Sequence, residues 1–538
     1  MSRTTFRLNM TASSFPLVSS NYGASVAGRG RFDTDYVVTN QYSGSQADAF
    51  IGIPSFLYLH NCLPFTHGMQ SVGFAQVAPG LPGAKDFDSA FQLQFGTDPS
   101  IIFVPAKGIN YVKAPDNNWQ SAPTPMRMAG MVTTAYLKGK SYICYQGNGI
   151  FTYNKVTGQI VPVTLGGLNS SSLLGITAAN SYLVAFDSDT VYFSNPTDEL
   201  DFQPTLASGA GSESILQAKG KIICCLPIEN GFIVYTTRNA VSASFSGDSK
   251  FPWIYREIDG SSGIKSHEHV AHTSNFAGHY AFTSAGMQLV GIQEAQSIFP
   301  EVTDFLLGAE LEDYVGELGL QPGNAAPELN ASVYGEFATA QFGQNQLMIQ
   351  RLPPGTNGML VKIAIVASRY LVISHGIQEL THMLVYDTAL RRWGKLRKKH
   401  VAVFEHSTEA AEIPGNTRIA ILERSGRVNI VSPVSYPGVI DKSDSVLFLG
   451  RIQAQRGQNG ELLAVDSSRM SLTDSKLSVL ASLNGNSWQP EITPMLTHGD
   501  PEAQRHQLTA FGKSFVLKYT GDFKLSSVEV DVNVTRGG

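Results

Sequence analysis

Ser141-Tyr-Ile-Cys-Tyr145, Gly147-Asn-Gly149 and Ile150-Phe-Thr-Tyr153 read as a strand, a tight turn and a returning strand. The plan recurs twice in succession. Tyr182-Leu-Val-Ala-Phe186 passes through Asp187-Ser-Asp189 into Val191-Tyr-Phe-Ser194, and Ile222-Ile-Cys-Cys-Leu226 passes through Glu229-Asn-Gly231 into Phe232-Ile-Val-Tyr235. Short apolar runs bounded by Gly, Asn and Asp are hairpin signals. The first strands recur about every 40 residues, within the spacing of propeller blades.

Working outward, the pattern continues less regularly. Ile101-Ile-Phe-Val104 with Ile109-Asn-Tyr-Val112 is an earlier unit. Later ones are Tyr280-Ala-Phe-Thr283 with Met287-Gln-Leu-Val290, Tyr370-Leu-Val-Ile373 with Met383-Leu-Val-Tyr386, and Ile419-Ala-Ile-Leu422 with Val428-Asn-Ile430. A four-stranded blade has two apolar faces and cannot bury both alone; a closed ring of blades solves that and leaves short edges. The expected fold is all-β: a six- or seven-bladed β-propeller over 96–438, with a helical insertion near 300–327. A C-terminal antiparallel β-sandwich-like domain is expected over 439–538.

The insertion is expected because Val302, Phe305, Leu306, Leu311, Tyr314, Val315 and Leu318 fall at mixed three- and four-residue spacings, before the loop Gln321-Pro-Gly-Asn-Ala-Ala-Pro327. The C-terminal strands are Val446-Leu-Phe-Leu449, Leu477-Ser-Val-Leu-Ala481, Phe515-Val-Leu-Lys-Tyr519 and Val528-Glu-Val-Asp-Val-Asn-Val534. Residues 1–95 are Gly-, Ser- and Asn-rich with weak strand signals, and read as an arm or small irregular domain.

Composition narrows the function. Of 538 residues, 43% are hydrophobic, enough for a large core, and only 15% are charged, against roughly 25% in an average domain. Few charges suit surfaces buried in an assembly. A net charge of −5 argues against a dedicated nucleic-acid binder while allowing DNA to slide past. Four cysteines make no disulfide framework: Cys62 and Cys144 stand alone, and Cys224 and Cys225 point to opposite faces of one strand. Folding in a reducing cytoplasm is expected. No apolar run is long enough for a membrane span, and Met1–Met10 lacks the apolar core of a secretory signal.

Reactive motifs are weak. There is no Gly-x-Ser-x-Gly elbow and no phosphate-binding glycine loop. His267, His269 and His272 would need a further ligand at standard spacing to make a metal site; polar residues at a blade edge explain them better. Ser482-Leu-Asn-Gly-Asn-Ser-Trp488 approximates the Asp-box of sialidase propellers, but Leu483 replaces the aspartate. The carboxylates Asp198 with Asp201, and Glu310 with Glu312 and Asp313, lie in turn or helix contexts. No catalytic residue, metal ligand or cofactor is expected, and the chain reads as a non-enzyme.

The sharpest charge cluster is Arg391, Arg392, Lys395, Arg397, Lys398 and Lys399, six basic residues in a short stretch of an acidic chain. It could contact DNA phosphates, an acidic patch on a neighbouring subunit, or only solvent at a hairpin end.

Several segments in order resemble the tail-hub or nozzle proteins of short-tailed bacteriophages, also called packaged-DNA stabilisation proteins. They are Thr190-Val-Tyr-Phe-Ser-Asn-Pro-Thr-Asp198 with Asp201-Phe202, Ile258-Asp-Gly-Ser-Ser-Gly-Ile264, and Ile298-Phe-Pro-Glu301. His382-Met-Leu-Val-Tyr-Asp387 with Arg392-Trp-Gly-Lys395, and the C-terminal Leu525-Ser-Ser-Val-Glu-Val-Asp-Val532, complete the series. The likeness spans roughly 100–538 and rests on the series, since no one motif is specific. It implies a homo-oligomeric ring, usually a hexamer, below the portal-adaptor ring. It implies a channel for double-stranded DNA, docking of tail spike, fibre or needle proteins, residence in the virion tail after assembly in the bacterial cytoplasm, and no catalytic residues. The alternative is a virion glycan-binding or glycan-degrading propeller; the blandest reading is a generic propeller scaffold.

Overall fold

The computed structural model describes residues 2–8, 10, 39–40, 50–52, 58–78, 89–105, 110–113, 119–122, 131–306, 340–349, 360–406, 417–433, 445–449, 452–454, 458–468, 475–483 and 492–536, apart from interior gaps of one or two residues. They form a seven-bladed β-propeller joined to a two-sheet β domain.

Blade 1 runs from its inner strand outward as Phe91–Phe95, Asp98–Val104, Asn110–Lys113 and Gln120–Ala122. Blade 2 is Val132–Leu137, Lys140–Tyr145, Gly149–Asn154 and Gln159–Pro162; blade 3 is Gly175–Ala179, Tyr182–Phe186, Thr190–Phe193 and Gly211–Ser214. Blade 4 is Ile222–Ile228, Gly231–Thr236, Ala240–Phe245 and Trp253–Glu257; blade 5 is Val270–His272, His279–Thr283, Gly286–Val290 and Ala295–Ser297. Blade 6 is Leu360–Val366, Tyr370–Gly376, Leu380–Asp387 and Arg392–His400. Blade 7 takes three strands from Ala402–Glu405, Ile419–Leu422 and Val428–Pro433 and its outermost from far upstream, Gly68–Ala78. Each inner strand touches the inner strand of the next blade, and Ala402–Glu405 returns to Phe91–Phe95, so the ring closes.

The second strand of a blade is covered on both faces by the neighbouring blades. Tyr182–Phe186 and Gly231–Thr236 are therefore buried along their whole length. That is why they read as unbroken apolar runs, where a one-sided strand would alternate. Aromatic contacts tie blades 3 and 4 together: Tyr182 and Phe232 both meet Trp253 edge-on, at centroid distances of 5.4 and 4.8 Å. Gly231 opens the second strand of blade 4 at φ +146°, where a Cβ would lie 2.0 Å from the Ala243 carbonyl oxygen, so only glycine lets the strands turn there. Polar links cross two further seams. Ser141 and Gln94 exchange hydrogen bonds of 2.7 and 2.9 Å between blades 1 and 2, and Thr133 Oγ1 accepts the Ile176 N–H at 2.9 Å between blades 2 and 3.

The β domain packs two sheets face to face. One contains Ser2–Leu8, Ser527–Arg536, Gln458–Ser468, Ala503–Gly512 and Met495–Asp500; the other contains Ile452–Ala454, Ser514–Thr520, Lys476–Ser482, Val446–Phe448 and Tyr58–His60. Alternate residues point inward, as strand geometry requires. Val528, Val530 and Val532 of the first sheet and Phe515, Leu517 and Tyr519 of the second share one buried core.

Two expectations need correction. The described part of residues 1–95 is not a separate arm or domain. Ser2–Leu8 pairs in register with Ser527–Arg536, Tyr58–His60 pairs with Val446–Phe448, Gly68–Ala78 completes blade 7, and blade 1 already starts at Phe91. A ring cannot shut unless an early strand meets a late one, and hydrogen-bonding the outer edge of blade 7 with an N-terminal strand does this. The helix is also shorter in description than expected: it covers Pro300–Leu306, with Val302 and Leu306 packed on Phe282, Met287 and Trp393. Residues 307–339, including the rest of the expected insertion, lie outside the described residues.

Candidate functional site

The basic cluster occupies the outer strand of blade 6, and its members do different things. Arg391 is exposed at the hairpin turn in a left-handed conformation, φ +55°. Arg392 is buried and works inside the chain: its guanidinium donates to the Phe65 carbonyl, to Thr66 O at 3.3 Å and to Gly68 O at 3.4 Å. It is thereby withheld from DNA or a partner, a correction to its place in the expected contact surface. Burial lowers its pKa.

Lys395 lies opposite Cys62, the single register pair between blade 6 and Cys62–Phe65. Burial, helped by the nearby Arg397 charge, lowers Lys395 to about 8. The Arg397 N–H donates to Asn61 Oδ1 at 2.9 Å. Lys398 pairs with Glu423 at 3.4 Å and lies over the Phe74 ring. Lys399, 80% exposed, meets Glu379 at 3.3 Å, and Arg424 meets the same carboxylate at 3.2 Å. The strand thus anchors the N-terminal segment with one set of side chains, while Arg391 and Lys399 remain outward. Neighbours in sequence, they do not make one surface: Arg392 lies on the opposite face of the strand from Lys395 and Arg397.

Gly394 makes the anchoring possible. A Cβ there would stand 2.6 Å from both the Cys62 carbonyl oxygen and a Leu63 methyl. Cys62–Phe65 therefore lies against blade 6 more closely than any side chain would permit.

The sequence reading missed a set of histidines in the same blade. His375 and His382 face each other across adjacent strands with rings stacked 5.4 Å apart, both buried. His400 Nε2 and Ser374 Oγ are 2.9 Å apart, and His400 Nδ1 meets the Lys398 carbonyl at 2.7 Å. Burial lowers His400 to about 4 and holds His375 and His382 far below the ordinary imidazole range. Scattered spacing hid these residues; only the antiparallel register brings them together.

The other candidates are structural. His267 and His269 sit in a short 3-10 turn capped by the Ser266 hydroxyl, which accepts the Glu268 N–H at 3.3 Å. Burial lowers both to about 4. His272 stacks on Phe276 at 4.4 Å, and Glu268 pairs with Lys362 at 2.5 Å. Among the described residues, no three His, Cys, Asp or Glu side chains are placed to hold a metal. Asp198 and Asp201 accept the N–H groups of Leu200 and Gln203, fixing a loop. Between them Glu199 accepts from Tyr142 at 2.8 Å and Lys140 at 3.1 Å, and pairs with Lys138 at 3.3 Å. Glu310, Glu312 and Asp313, and the Asp-box-like residues from Asn484 to Trp488, lie outside the described residues. No helix among the described residues is long and apolar enough to cross a membrane.

No protein-family model and no curated protein matches the sequence. Solved structures resemble the fold. One is virginiamycin B lyase from Staphylococcus aureus, 9% identical, covering 67% of this chain and 99% of that one with a TM-score of 0.37. Another is the extracellular domain of a protein described as a one component system of B. thetaiotaomicron, 9% identical, covering 72% of this chain but only 46% of that one, with a TM-score of 0.38. Likeness at this level concerns the fold alone.

Proposed function

We propose that the chain is a structural subunit of a phage tail nozzle or hub ring, forming part of the DNA ejection channel and docking other tail proteins. The observation that supports this reading best is the joint architecture. A seven-bladed propeller carries a β domain fastened to blades 6 and 7 by the N-terminal segment. That is the domain combination implied by the motif series of the nozzle proteins. The low charged fraction, 15%, suits extensive subunit contacts, and the net charge of −5 suits a wall past which phosphate must slide. The reading assigns the chain no reaction and no cofactor. The likeness to the nozzle proteins implies a closed homo-oligomer, usually a hexamer, which heterologous contacts that return on themselves would build.

Sedimentation velocity and negative-stain imaging of the purified chain test this, alone and mixed with portal-adaptor rings. Symmetric rings with a central channel are the expected result; monomers under both conditions overturn it. Arg391→Glu with Lys399→Glu changes the two outward members of the basic strand. If that strand docks a neighbour or DNA, ring assembly or DNA retention falls while the monomer's melting temperature holds.

A further inference from the structure

Blade 6 carries a row of ionisable side chains that ends at the N-terminal segment. His375 is opposite His382, and His382 is opposite Arg397, in register across three strands. Residues directly opposite in an antiparallel sheet share a face, and Lys395, two positions from Arg397, lies on it too. The neighbouring charges are therefore cationic or capable of becoming so. Lys395 and His400 act on His375; His375, Lys395, Arg397 and His60 act on His382. From the inner strand, Lys362 acts on His400 while pairing with Glu268. The Thr381 hydroxyl lies 2.8 Å from His382 Nδ1.

The joint beside this row has little backbone pairing. Among its contacts with residues 61–68, blade 6 has one register pair, the Arg397–Asn61 hydrogen bond, the Arg392 contacts and the close packing of Gly394 on Cys62 and Leu63. The same segment continues into Tyr58–His60, a strand of the β domain. We propose that the row is an acid-sensitive clasp: opening the joint lets water reach His375 and His382, and their protonation in the opened state, beside Lys395 and Arg397, holds the N-terminal segment, and with it the β domain, off blade 6. The trigger is the proton alone: as pH falls through the ordinary imidazole range the opened state binds more protons than the closed one, and like charge beside Lys395 and Arg397 opposes reclosure. Release requires only local opening, because the strands of blades 1–4 contain no histidine.

Hydrogen exchange on the full chain, corrected for intrinsic rate at each pH, tests the clasp. Between about pH 7.5 and 4.5, protection of amides 58–65 is expected to fall at least about tenfold while blades 2–4 stay protected. The variant His375→Gln with His382→Gln is expected to keep its protection over that range. The proposal is overturned if wild-type 58–65 keeps its protection at acid pH, if it opens only together with blades 2–4, or if the folded double variant opens as the wild type does. Should the double variant not fold, the single variants His375→Gln and His382→Gln each carry the test, with a smaller loss of protection than wild type expected. These outcomes concern the joint within one chain and are independent of ring assembly.

Discussion

Blades 2, 3 and 4 each come from one run of consecutive strands, whereas blade 7 takes its outer strand from the N-terminal segment and blade 6 holds that segment in place. The chemistry differs with the topology. Blades 3 and 4 meet through aromatic and aliphatic packing around Phe232, Trp253, Val184 and Val234. Blade 6 buries His375, His382, Arg392 and His400. The sequence divides in the same way: no histidine lies between His67 and His267, and eight follow from His267 to His406. Sequential blades can be built from continuous hydrophobic surface. A closure made between distant segments uses directional polar contacts, which fix register where chain connectivity does not.

Acid should break the comparison most strongly. His267, His269, His279 and His400 are each held by burial at about 4, so they stay neutral in the folded chain. In the unfolded chain they protonate near the ordinary value of about 6.5. Their contribution is complete above that pH and is lost as pH falls toward 4, because the unfolded state then binds more protons. The combined loss should be on the order of 10 kcal/mol. Denaturant melts at pH 7 and pH 4.5 measure it, with exchange showing the blade 5–7 half opening first. Uniform opening would erase the proposed division.

Phe232→Ala strikes the other half. The side chain is fully buried and packs edge-on against Trp253. Truncation should cost about 3–5 kcal/mol through lost burial and a cavity. Its effect should be the same at pH 7 and pH 5, since nothing titratable is removed. Arg392→Met should cost about 2 kcal/mol by leaving the carbonyls of the 65–68 turn without their charged donor. Exchange should localise that loss to residues 62–68.

Much of the ring was legible because a strand between two blades must be apolar on both faces. Tyr182–Phe186 and Ile419–Leu422 announce themselves for that reason. The sandwich was legible through the alternation of Val528, Val530 and Val532. Gly68–Ala78 was not, because its meaning depends on Val428–Pro433, a partner some 350 residues away in sequence. The basic strand was visible as charge, but its division was hidden: Arg392 turns toward the 65–68 carbonyls while Lys399 faces outward. The His375–His382 stack depended on pairing register, which no local pattern reports.

The smallest effect sharpens the comparison from the regular side. Glu199 links the blade 3 loop to blade 2 through Tyr142, Lys140 and Lys138. Burial opposes its charge, but hydrogen bonds from its own backbone N–H, Tyr142 and the two lysines outweigh that and lower it to about 2. Its contribution is therefore present above the ordinary carboxylate range and lost only as pH falls toward 2, below the histidine window. Two of the donors are lysines with solvent-facing side chains, at 34% and 61% exposure, so screening limits the coupling. Glu199→Gln should cost about 1 kcal/mol at pH 7 and leave the slope of stability between pH 6.5 and 4 as it is in the wild type. A flattened slope would mean that acid acts on this seam as well, and the contrast between the two halves of the ring would fail.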